Sequence, residues 1–126
     1  MAKQALGPNQ EKWLAALESG NYKQGQEYLY QPEIGYCCLG VACDLVGLKP
    51  DLGLYNSDSA ARFLGVSDFA PPTVIEYLAL RGSDGTLSTA FDQYESLAEA
   101  NDDGKTFAEI AAFCRENPES VFTEPK

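Results

Sequence analysis

No histidine occurs in the 126 residues. That absence removes the commonest general base near neutral pH, and with it every Ser–His and Cys–His pairing. Lysine and arginine number only 9 and are scattered, against 19 aspartates and glutamates, for a formal net charge of −10. A partner held through its phosphates needs clustered cations, so no direct nucleic-acid binding is expected. There is no apolar run near the ~18 residues of a membrane span, and Met1 to Pro8 lacks the apolar core of an export signal, so no membrane contact is expected either. Neither a dinucleotide fingerprint nor a Gly-Lys-Ser/Thr phosphate loop is present.

What remains is an ordinary globular composition, 44% apolar, at a length that suits one domain over 1–126 with a frayed tail after Ser120. Periodicity predicts a helix capped by Asn9 and running to Ser19, with Trp13, Leu14, Ala16 and Leu17 on one face and Gly20 at its end. Gln26 to Gln31 alternates as a short strand, Pro32 to Gly35 turns, and Tyr36 to Cys38 returns into a helix bearing Leu39, Ala42, Cys43 and Val46. Leu52 to Asn56 reads as extended and Ser59 to Leu64 as a helical turn or two. A Pro-led helix follows over Thr73 to Leu80. Gly82 to Gly85 is a turn, and Thr89 with Asp92 is expected to open a helix carrying Phe91, Tyr94, Leu97 and Ala98. Thr106 and Glu109 have capping-box spacing ahead of Phe107, Ile110, Ala111 and Cys114. The expected fold class is α+β, a helix-rich domain with a small antiparallel hairpin or sheet. Its core should unite Trp13, Leu39, Val41 or Ala42, Cys43, Val46, Phe107 and Ile110.

Four cysteines, at 37, 38, 43 and 114, suit buried free thiols better than a disulfide framework or a zinc site. The run Glu99 to Gly104 resembles a calcium loop only until its twelfth position, which should be a bidentate glutamate and is Ile110. No catalytic, cofactor or metal residue is therefore expected. The candidate chemistry is that of contact. Asp92, Glu95, Glu99, Asp102, Asp103, Glu109 and Glu116 are placed on two successive helices and the turn between them. There they would present carboxylates to a basic partner groove in place of nucleic-acid phosphates. Seven tyrosines make a second candidate surface, with Tyr28 and Tyr30 on one side of the hairpin.

The block Tyr36-Cys37-Cys38-Leu39-Gly40-Val41-Ala42-Cys43-Asp44-Leu45 resembles a family of small bacteriophage and prophage proteins. So do the Ser-Gly-x-Tyr-x-Gln turn ending at Gln24, the Pro-led helix Pro72 to Leu80, and Asn101-Asp102-Asp103-Gly104-Lys105-Thr106-Phe107 with Ile110-Ala111. The likeness spans residues 13 to 114, with Ala42 standing where a larger apolar residue is usual. It implies a phage origin, in the cytoplasm of a bacterial host, and not an activity; small phage proteins without an enzyme motif often bind and block a host protein such as a defence factor, and that protein–protein inhibition is the expectation here. Two other classes compete with that expectation. A small-molecule binder that sequesters a nucleotide signal would need clustered cations, and a carboxylate- or metal-dependent enzyme is disfavoured by the absent histidine and the incomplete calcium-like run.

Overall fold

A computed structural model describes residues 4–31, 34–49, 63 and 69–126. The chain opens with helix α1, Pro8–Glu18, which buries Trp13, Leu14 and Leu17 as the apolar spacing requires. Its start departs from expectation. Gly7, not Asn9, occupies the cap position, and the Gln10 side chain reaches back to accept the Gly7 N–H at 2.9 Å. The backbone oxygen of Lys126 accepts from the amides of Asn9 and Gln10 at 2.9 and 3.1 Å. Two first-turn donors are satisfied by that oxygen, and the Asn9 amide donates instead to the Tyr77 carbonyl. A Cβ at Gly7 would lie 2.2 Å from Lys126 backbone atoms, so only glycine fits there.

The expected hairpin is shorter than its alternation suggests. Strands β1, Tyr30–Gln31, and β2, Gly35–Tyr36, pair antiparallel over two residues, and Gln24 bridges to Tyr36 in parallel. Glu27 at φ 72° bends the preceding segment away from strand geometry. Helix α2, Cys38–Leu45, follows at once and buries every residue from Cys38 to Cys43. A helix apolar all round belongs at the centre of a core. A Cβ on Gly40 would sit 1.7 Å from the Leu29 carbonyl oxygen, so glycine here lets α2 lie directly against the hairpin. Trp13 Nε1 donates to the Cys38 carbonyl at 2.9 Å, tying α1 to the start of α2. Val46, expected in the core, is half-buried and packs against its edge.

The segments Leu52 to Asn56 and Ser59 to Leu64 lie outside the described residues, apart from Phe63, which is buried. Helix α3, Pro72–Leu78, places Val74 and Leu78 inside and ends at Ala79, in the left-handed region at φ 57°. The expected helix from Thr89 is instead a hairpin, with β3, Thr86–Phe91, paired antiparallel to β4, Tyr94–Ser96. The physical reason lies in the Phe91–Tyr94 pair. Residues three apart share a helix face, but a two-residue turn also puts them directly opposite across two strands. Asp92, at φ 53°, supplies that turn, a conformation aspartate tolerates better than most residues.

Helix α4, Leu97–Asp102, begins on the Ser96 cap, whose hydroxyl accepts from the Glu99 amide. Helix α5, Phe107–Glu116, has the expected capping box of Thr106 and Glu109 and the expected buried stripe. The frayed tail is overturned. Pro118 does stop α5, but it also starts helix α6, Pro118–Val121. Val121 and Phe122 are fully buried, and Phe122 meets Trp13 edge-on at 6.2 Å and bridges to Leu80. Arg81 donates to the carbonyls of Glu119, Ser120 and Phe122, holding this segment in place. The fold is α+β, with two small antiparallel sheets among helices, as expected.

Candidate partner-binding surfaces

Residues 84–124 hold ten of the 19 acidic side chains and two cations, Lys105 and Arg115. Both cations are engaged within the fold. Arg115 spans Glu11 and Glu18 at 2.8 Å each, which clamps α5 to α1 and draws the Glu18 carboxyl below its usual range. Lys105 Nζ lies 2.6 Å from Asp92 and 3.9 Å from Glu109.

The seven carboxylates do not form the single two-helix patch expected. Asp92 sits in the β3–β4 turn and Glu95 on the exposed side of β4, because the predicted helix there is a hairpin. The set divides in two. Glu99, Asp102 and Asp103 join Asp84, Tyr94 and Phe69 around a concavity of about 510 Å³. Asp92, Glu109 and Glu116 surround a second one, floored by Phe91 and Phe113. Glu95 is exposed and lines neither.

In the first concavity several carboxylates also serve the fold. Asp103 accepts a short hydrogen bond from the Tyr94 hydroxyl, which pushes that phenol up to about 12. Asp102 accepts the Glu27 amide at 2.6 Å and so holds the strained bend before β1. Asp84 accepts from the Thr86 hydroxyl at 2.5 Å. Phe69 stands at the edge, 47% exposed, one of two large apolar side chains so open among the described residues.

Three tyrosines gather at the first hairpin. Tyr30 stacks on Tyr36 at 4.4 Å, and Tyr22 meets Tyr36 edge-on at 5.3 Å. Asp44 accepts the Tyr22 hydroxyl at 2.5 Å; burial and this carboxylate together push the phenol up to about 12. Ile34, 49% exposed, completes the cleft with Lys23. Tyr28 is half-buried and does not line this cleft, so of the two candidate tyrosines only Tyr30 joins it. Tyr22 and Tyr36 carry the same signal as Tyr30, and only the folded contact distinguishes them.

Sequence reasoning missed a polar hub at Asn101, which is fully buried. Its Oδ1 accepts from Gln24 Nε2 at 2.9 Å and from the Cys38 amide at 3.2 Å, and its Nδ2 donates to the Gly25 carbonyl at 2.9 Å. Gln24 also donates to the Lys105 carbonyl and accepts from the Phe107 amide. Three of the motif blocks, around Gln24, Cys38 and Asn101 to Phe107, therefore converge on buried Asn101 and half-buried Gln24. The calcium-like run is a helix end and turn, with Asn101 facing inward and Gly104 at φ 108°. A cleft of about 530 Å³ lies beside the hub, lined by Gln24, Gln26, Glu27, Gln31 and Ile34. The amides of Gln24 and Gln26 are spent on Asn101 and Lys105, which leaves them poorly placed to grip a small ligand.

All four cysteines are buried free thiols. Burial raises each: Cys37 to about 11, Cys43 to about 12, and Cys38 and Cys114 further. Such groups behave as small apolar side chains. Among the described residues, no group of three or more histidines, cysteines or carboxylates is placed to hold a metal ion. Likewise, no helix among them is long and apolar enough to cross a membrane.

No curated protein and no solved structure matches this chain. The chain belongs to the family described as Domain of unknown function (DUF8296), which matches residues 8–117.

Proposed function

We propose that this member of the DUF8296 family is a phage-encoded binding protein that docks a basic, nucleic-acid-gripping surface of a bacterial host protein and blocks it. The observation that carries this is the concavity formed by Asp84, Glu99, Asp102 and Asp103 beside exposed Phe69, while both nearby cations are engaged elsewhere. Carboxylates held in place by Tyr94, Thr86 and the Glu27 amide are pre-organised, as phosphates on a duplex are, and attract a cationic groove over several ångströms. Phe69 adds the apolar contact area that an acidic surface alone would lack. The phage setting comes from the sequence resemblance and the mode of contact from the charge.

The test begins with affinity capture from host lysate and identification of the partner by mass spectrometry. Affinity is then measured at two salt concentrations for the native chain and for Glu95→Lys/Glu99→Lys/Asp103→Asn. Exposed ion pairs are worth only ~0–1 kcal/mol each, so no one of the three substitutions should abolish binding. Together they should weaken it at least ~10-fold and flatten its salt dependence. Duplex DNA should compete with the native chain for the captured partner. An unaltered constant and slope would remove this function, and failure of DNA to compete would remove the mimicry.

A further inference from the structure

The groove between the end of β3 and the outer face of α5 has an apolar floor and an acidic lip. Ala90 and Phe91 form one wall, Ala112 and Phe113 the other, and Asp92, Glu109 and Glu116 stand around them, enclosing about 490 Å³. On α5 the positions Glu109, Ala112, Phe113 and Glu116 follow the i, i+3, i+4, i+7 spacing of a single helix face. This face is distinct from the buried stripe of Phe107, Ile110, Ala111 and Cys114. Phe91 and Phe113 stack face to face at 4.4 Å with their planes 10° apart, which joins the end of β3 to α5 beneath the groove. Ala90 and Ala112 are exposed, and such small side chains let a second backbone approach closely.

The fold already shows what chemistry this surface accepts. Lys105 Nζ lies 4.9 Å over the Phe91 ring while pairing with Asp92 at 2.6 Å. A cation over an aromatic face with a carboxylate beside it is a favourable arrangement, and here Asp92 holds the ammonium above its ordinary range. Asp92 and Glu109 share the one lysine, so the pair stays negative after Lys105 is counted.

The geometry points to a docking groove for an amphipathic, lysine- or arginine-flanked helical segment of a partner protein. Its apolar side chains would sit on Ala90, Ala112 and Phe113, and its cations on the lip. Helix-in-groove recognition uses this pattern of an apolar stripe on an apolar floor, with charge at the rim setting the register. The groove is separate from the concavity around Asp84 and Glu99, so either can fail without the other.

The probe is a fluorescein-labelled peptide of leucine and lysine, about 15 residues long so that it can hold a helix once bound. A control replaces every leucine by glutamine at the same charge. The leucine–lysine peptide should bind at least ~10-fold more tightly than the control. Ala112→Arg places a cation over the floor from an exposed mid-helix site and should weaken the peptide at least ~10-fold at an unchanged urea midpoint. Glu99→Lys, in the other concavity, should shift it by less than about threefold, the residual long-range effect of charge. On the native chain, amide resonances of Ala90, Ala112 and Phe113 should move on titration, a readout that does not depend on any variant folding. Equal binding of both peptides, indifference to Ala112→Arg, or resonance shifts confined to the Asp84–Glu99 side would each overturn the assignment.

Discussion

Replacing Asn101 by alanine tests the buried hub most directly. The substitution removes the acceptor for Gln24 Nε2 and the Cys38 amide, and the donor to the Gly25 carbonyl. The Cys38 amide stands in the first turn of α2, where the helix has no acceptor of its own to offer. Gln24 keeps the Lys105 carbonyl as a second acceptor and loses least. Two buried backbone groups, Cys38 N–H and Gly25 C=O, are thus left without this partner, each at about 1–3 kcal/mol. With the smaller loss at Gln24, the destabilisation should be about 3–5 kcal/mol, against a typical total of about 5–15 kcal/mol. In urea unfolding, a slope of about 1–3 kcal/mol/M puts the fall in midpoint near ~2 M, with the slope itself unchanged. Gln24→Ala in the same cycle should show coupling of at least ~1 kcal/mol, because the two side chains share a bond. A loss below ~1 kcal/mol for Asn101→Ala, or full additivity with Gln24→Ala, would refute the hub.

Other outcomes follow from single sites. The four thiols should resist a disulfide reagent at pH 8 in the native protein and all react after denaturation; rapid labelling of even one native thiol would contradict the packing at Cys37 to Cys43. Ala79→Gly should raise stability by about 0.5–1 kcal/mol, since the left-handed conformation at the end of α3 strains any side chain with a Cβ; a fall in urea midpoint would argue against strain there. The Tyr22 phenol titrates near 12 in the fold and near 10 when unfolded, so the unfolded chain loses this proton first as pH rises. Its stabilising contribution is therefore complete below pH 10 and lost between about 10 and 12, and Tyr22→Phe should remove that part of the alkaline decline in unfolding free energy.

The parts legible in the sequence were those where one local signal has one structural meaning. Thr106 and Glu109 bound each other's amides as a capping box must, and the stripe from Phe107 to Cys114 admitted no strand alternative. The apolar Cys38 to Cys43 run likewise became a helix buried on all sides. Elsewhere one signal had two meanings. Phe91 and Tyr94 suit a helix face or a two-residue hairpin, and the cross-strand pairing decided for the hairpin. Pro118 both closes α5 and opens α6, and Val121 and Phe122, two apolar residues in an acidic stretch, were the cue that the chain returns to the core. The acidic candidates do not form one patch, because the turn at Asp92 swings it towards α5 and away from Glu99. The Gln24–Asn101 pair spans 77 positions, and nothing local announces that two polar amides will be buried against each other.

The join between the two ends of the described chain bears on the order in which the fold can be completed. Helix α1 is made well before the oxygen that caps it, which belongs to Lys126, and the ring against Trp13, which belongs to Phe122. Gln10 reaches the Glu124 carbonyl across 114 positions, and Arg115 reaches Glu11 across 104. An emerging chain that stops short of these residues holds α1 with an open N-terminus and Trp13 without one of its walls. Contacts of such sequence separation are costly in loop-closure entropy and come late in folding. Completion of α1 therefore waits on residues more than a hundred positions further along, and a helix made before them is among the last of the described elements to be finished.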